Sequence, residues 1–168
     1  QNDFALPEGA LAVPGTRLAP FQGLLRLASE RGLPILGSVD SHAFDAWEFA
    51  SSGRRGPSGE QPNFPDHCVK GTWGWLKPEG TLPSRFRFVP NQPGAEVELL
   101  ASELASRVCE GLYFEKEVYS MFANPNAAPL LEALVRRLSE PPEFVVFGLA
   151  TDYCVKAAGL GLRERGYR

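Results

Sequence analysis

Histidine and cysteine are scarce in this sequence, and the scarcity narrows the available chemistry. Only two residues are histidine, His42 and His67, and only three are cysteine, Cys68, Cys109 and Cys154. No CxxC pair occurs, which excludes a zinc ribbon and a thioredoxin-type motif. An odd, sparse set of thiols fits a reducing compartment such as the cytoplasm, where cysteines stay free. No run approaches about 18 apolar residues, so no membrane-spanning helix is expected. Basic blocks are also missing. Lys+Arg 17 against Asp+Glu 20 leaves a net charge of −3, which argues against a nucleic-acid surface. A small neutral or anionic molecule suits this charge balance better than a polyanion.

What is present is an ordinary globular composition, 43% hydrophobic and 22% charged, over a length that suits one domain spanning 1–168. Apolar spacing predicts helices over 20–31, 95–107, 129–138 and 154–165. Gly32 is the expected stop of the first, and Thr151 and Asp152 the expected caps of the last. Short apolar runs predict buried strands over 34–39, 112–114 and 144–148, the last (FVVFG) being the clearest. Residues 5–16 and 50–66 read as loop, being rich in Gly, Pro and Ser. Strands alternating with helices imply a three-layer α/β/α domain around a mainly parallel sheet, whose sites lie beyond the strands' carboxyl ends. Asp40, Lys116 and Cys154 each follow a predicted strand end.

Cys154 stands where a strand turns into a helix, a position where the helix dipole favours thiolate and free N–H groups can hold an oxyanion. Most free cysteines are nonetheless inert core residues. With so few histidines, the usual Cys–His pairing competes with another use. Asp40 and His42 form a DxH pair just past a strand, and His67 sits in a Pro-stiffened loop. Two histidines and a carboxylate suit zinc, iron or manganese, and Glu48 is a candidate fourth ligand. Lys116 would stabilise a thiolate if the fold brings it to Cys154.

Together these segments resemble the nicotinamidase/isochorismatase cysteine hydrolases, in family order along essentially the whole chain. The run QNDF at 1–4 is similar to the tail of the family's D-x-Q-N-D-F. Asp40 with His42, and the run FPDHCVKGT at 64–72, resemble the D-x-H and P-x-H-C-x-x-G-T metal motifs of the nicotinamidase branch. KEVYSMF at 116–122 resembles the lysine segment, and GLATDYCV at 148–155 the nucleophile turn, which is the most specific signal.

The resemblance implies Cys154 as nucleophile supported by Lys116, with an oxyanion hole from the N–H groups of Ala150 and Cys154. It also implies a cis Leu149–Ala150 bond, and Phe4, Phe64 and Tyr153 against the substrate ring. Asp40, His42 and His67, with Glu48, would hold a divalent metal, expected to be zinc, with iron or manganese as alternatives. The implied reaction is hydrolysis of a small carboxamide, nicotinamide first, through a thioester.

Two departures from the family pattern bear on this. The family's catalytic aspartate falls two positions ahead of Gln1, and the first and last strands of the fold are expected to be absent from 1–168. Residues 1–168 alone are therefore expected to be inactive and unstable. Asp3, the motif's second aspartate, is not expected to take over the catalytic role. At the metal site, Glu48 or Asp45 stands where relatives often carry a further histidine. Other readings are a related small-amide or carbamoyl hydrolase, or an inactive member serving as a binding module. Self-association into a homo-oligomer is compatible with the sequence.

Overall fold

The computed structural model describes all of residues 1–168. Its centre is a parallel sheet of three strands, β1 (Ile35–Asp40), β2 (Phe86–Val89) and β3 (Gly111–Lys116), in the order β1-β3-β2. Every residue of β3 is buried, as expected for the central strand of a parallel sheet covered on both faces. The register sets Ile35 opposite Gly111 and Asp40 opposite Lys116, so the last residues of β1 and β3 emerge side by side.

The helices are α1 (Asn2–Ala5), α2 (Leu18–Arg31), α3 (Val97–Ala105), α4 (Ala127–Val135) and α5 (Lys156–Glu164). On one face of the sheet, Leu112 and Phe114 pack with Val89, Ala101, Leu104 and Leu130 into the main core, which takes in α3 and α4. The alternate residue Tyr113 points to the other face and meets Leu25 of α2 and Ile35. Gly37 admits that ring, because a Cβ there would stand 2.5 Å from it. The result is the expected three-layer arrangement. Gly32 ends α2 as expected, in the left-handed region at φ 63° with its N–H on the Ala28 and Ser29 carbonyls.

Three expectations need correction. The apolar run 144–148 is not a strand: Val145 is 78% exposed, and Phe147 stacks on Phe21 of α2 at 6.1 Å. An apolar segment becomes a strand only where a ladder partner is in reach. Its one backbone bond to another segment runs from the Phe144 N–H to the Arg168 carbonyl. Thr151 and Asp152 do not cap a helix but lie within a π-helical turn, Thr151–Val155, that leads into α5. Residues 86–89, not predicted as a strand, form β2 and gain that state from pairing with β3.

Candidate active site

The carboxyl edge of the sheet gathers the predicted residues. Asp40 ends β1, Lys116 ends β3, and the Lys116 ammonium donates to an Asp40 carboxylate oxygen. The same ammonium donates to Cys154 Sγ at 3.4 Å. Lys116 is 2% exposed, so both interactions act in a poorly hydrated setting, where charges interact more strongly. Burial alone would lower the Lys116 pKa, but the charges of Asp40 and Cys154 outweigh it and the value rises. For Cys154 the balance runs the other way. Burial raises the thiol's pKa, and Lys116 only partly offsets it.

The turn that carries Cys154 wraps around one carbonyl. The N–H groups of Tyr153 and Val155 both donate to the Ala150 oxygen, at 3.1 and 3.3 Å. The Leu149–Ala150 peptide bond is cis, as the resemblance implied. The Ala150 N–H donates to no protein acceptor, and an N–H left free in this way can serve an incoming oxygen. Tyr153 is 52% exposed beside the thiol, with its ring 5.2 Å from that of Tyr119.

Next to this pair, one ligand atom from each of Asp40, His42 and His67 lies within 4.8 Å of the others. Parallel backbone pairing of His42 with Val69 draws the two histidine segments together, with the His42 N–H on Cys68 O at 3.2 Å. His67 Nδ1 lies 2.9 Å from the Pro65 carbonyl, which can only accept. The ring proton is thereby fixed on Nδ1, and Nε2 is left free to ligate. Burial lowers the His42 pKa to about 4, so its imidazole is neutral at pH 7 and able to ligate. Glu48 Oε1 reaches both rings, 3.2 Å from His42 Nε2 and 3.5 Å from His67 Nε2. Two imidazoles and a carboxylate, with a second carboxyl group in reach, fit a divalent transition metal. Phe4 and Phe64 flank the His67 ring, with centroids at 5.5 and 5.8 Å.

Several supporting residues were not legible as such in the sequence. Gln1 clasps Asp40 through its side-chain amide, Nε2 donating to the Asp40 carbonyl at 2.7 Å and Oε1 accepting from its N–H at 2.8 Å. Asp3 plays no part in the Lys116–Cys154 pair. Its carboxylate accepts from the Cys68 N–H at 2.7 Å and the Ala10 N–H at 3.0 Å. That fastens the residue after His67, which is held at φ 46°. A side chain at Gly74 would run into the Asp3 carboxylate, so glycine is required there. Trp75 Nε1 donates to Ser41 Oγ at 2.7 Å, which ties the loop after Gly74 to the DxH segment.

Comparison with known proteins gives the family and the fold. The family model described as "Isochorismatase domain" matches residues 1–168. The nicotinamidase of Escherichia coli (strain K12) is 30% identical over 181 residues, covering 100% of this chain and 75% of that protein. The nicotinamidase of Saccharomyces cerevisiae is 26% identical over 189 residues, covering 100% of this chain and 80% of that one. Among solved structures, the pyrazinamidase of Pyrococcus horikoshii in complex with zinc matches with a TM-score of 0.67 at 23% identity, covering 99% of this chain and 75% of that chain. At such identity the structural likeness establishes the fold.

Proposed function

The chain belongs to the isochorismatase family, and from that premise we propose that it is a metal-assisted cysteine amidohydrolase that deamidates nicotinamide. The observation that carries the reading is the 3.4 Å contact between Lys116 Nζ and Cys154 Sγ beside the Asp40, His42 and His67 cluster. A thiol held against a buried ammonium is an arrangement for a nucleophile, not for a packing residue. The nicotinamidase relatives and the aromatic rings of Phe4 and Phe64 beside His67 favour a planar heteroaromatic amide.

In this reading the Cys154 sulfur attacks the carboxamide carbon, and its proton leaves with the amine as ammonia. Water then splits the thioester, giving the acid and restoring the thiol. Lys116 holds the sulfur's negative charge, and the free Ala150 N–H receives the developing oxyanion with that of Cys154. In the family motif that residues 1–4 resemble, the proton carrier is an aspartate two positions ahead of the glutamine matched by Gln1. The Gln1 clasp on Asp40 brings that end of the motif to the site. Asp40, His42 and His67, with Glu48, would hold the metal, which when bound supplies a Lewis-acidic anchor that orients the substrate ring. Zinc is the metal we propose, because this donor set suits it.

The test is ammonia release from nicotinamide by the protein carrying the motif's upstream aspartate, with and without chelator. Chelator-sensitive release that disappears in Cys154→Ala, with metal content unchanged, is the expected result. Turnover retained in Cys154→Ala would overturn the assignment of the nucleophile. Release from other small amides but not from nicotinamide would move the substrate and leave the site as assigned.

A further inference from the structure

A cleft borders the His42 side of the cluster. Its volume is about 200 Å³, and its lining includes His42, Asp45, Trp47, Glu48, Arg54 and Glu117 but no residue of the turn that carries Cys154. Its lining includes Glu48, whose Oε1 lies 3.2 Å from His42 Nε2 and 3.5 Å from His67 Nε2, so one carboxylate stands between the cleft's lining and the ligand atoms. The His67 ring is packed on its other flanks by Phe4, Phe49 and Phe64. A hydrated dication is poorly received by aromatic walls and well received by carboxylates.

Two of the residues that line the cleft, Arg54 and Asp45, form an exposed ion pair. Arg54 lies 2.8 Å from an Asp45 carboxylate oxygen and also donates to the Asp45 carbonyl at 3.3 Å. A short 3-10 turn, Ala50–Ser52, delivers it, and the Arg54 N–H is held by Ser52 Oγ at 3.1 Å. The pair is exposed, with side chains 61% and 38% accessible, and exposed pairs of this kind contribute little net stability. Such a contact can open by thermal motion alone, as a latch requires.

We propose that this cleft is the port through which the metal enters and leaves, and that the Arg54–Asp45 pair is its latch. The proposal rests on the reading of Asp40, His42 and His67 as a metal site. It predicts a kinetic effect in which uptake and loss change together, because a latch alters the path and not the bound state. Arg54→Ala and Asp45→Ala change the local charge in opposite directions, yet both remove the latch.

The experiment follows Zn²⁺ uptake by the metal-free protein and Zn²⁺ loss to excess chelator, by stopped flow with a chromogenic chelator. Both variants should exchange zinc faster than the parent, on the order of tenfold in each direction, with a smaller change in Kd. Arg136→Ala, which breaks a distant surface pair with Glu98, should exchange at the parent rate. If one variant speeds exchange and the other slows it, charge alone is at work and the latch is refuted. Unchanged rates in both, at full zinc stoichiometry, refute the port. A folded parent that binds no zinc brings down the metal-site reading and the port with it.

Discussion

The Lys116 ammonium lies 3.4 Å from the Cys154 sulfur, although the two residues are 38 positions apart in sequence. The contact exists because β3 ends at Lys116 and the turn before α5 presents Cys154 at the same edge. With one donor shared between a carboxylate and a thiol, Lys116 couples the DxH segment to the nucleophile.

Replacing Lys116 with Met should therefore make Cys154 a poorer nucleophile. Burial already raises the thiol's pKa, and Lys116 is the largest influence opposing that rise. Removing the ammonium should raise the pKa further, so iodoacetamide alkylation at pH 8 should slow by about tenfold, the effect of one pKa unit. Cys68 and Cys109 are 0% and 3% exposed, so the reagent reports on Cys154 in the folded protein. An unchanged alkylation profile in a folded variant would show that Lys116 does not support the thiolate.

Asp40→Asn tests the other side of the same lysine. In the metal-free protein the Asp40 carboxylate is the counter-charge of a buried ammonium. Its loss leaves that charge unpaired, at a cost of about 3–5 kcal/mol. For a chain of this size each 1 kcal/mol moves Tm by roughly 2–4 °C, so a fall on the order of 10 °C should appear in thermal unfolding. Lys116→Met with Asp40→Asn should recover part of the loss, because neither charge then remains. A double variant as unstable as Asp40→Asn alone would count against the pairing.

The sequence made most of this frame readable because most of it is governed by local period. The helices α2, α3 and α4 and the strands β1 and β3 all lie where apolar spacing placed them. Asp40, His42, His67, Lys116 and Cys154 were found as isolated motif residues; the β1–β3 register sets Asp40 beside Lys116, the His42–Val69 bridge draws in His67, and the turn before α5 presents Cys154. What was not legible depends on partners remote in sequence. Phe86–Val89 is a strand because it pairs with β3, whereas 144–148, more apolar and more strand-like, joins no strand of the sheet. The Gln1 clasp and the Asp3 anchor were equally hidden, since an amide or a carboxylate near a chain end carries no periodic signal.

Asp3→Asn should weaken metal binding without touching a ligand. The carboxylate fastens the N–H of Cys68, the residue after His67, and so helps set where the His67 ring points. Replacing a charged acceptor with an amide should cost about 1.5–3 kcal/mol of stability. Loss of such a supporting contact typically lowers metal affinity by about 10–100-fold. Competition titration against a zinc chelator measures this directly. An affinity within a factor of two of the parent would assign Asp3 to folding alone.

Lys77 provides a pH test independent of the site chemistry. Its ammonium lies 5.4 Å from the centroid of the Tyr113 ring. Part of its surface remains in solvent, yet desolvation lowers its pKa from 10.5 to about 8. The charged form is thus penalised in the folded state. Between about pH 8 and 10.5 the unfolded chain binds more protons at this group, so its contribution to stability rises with pH across that window. Below the folded value the penalty is present in full. Lys77→Met removes it, so the variant should be more stable than the parent at pH 7 and the difference should shrink by pH 10. Urea unfolding at the two pH values, read as the difference between variant and parent, isolates this lysine from other groups that titrate in the same range. A variant less stable than the parent at pH 7 would show that the contact with Tyr113 outweighs the desolvation.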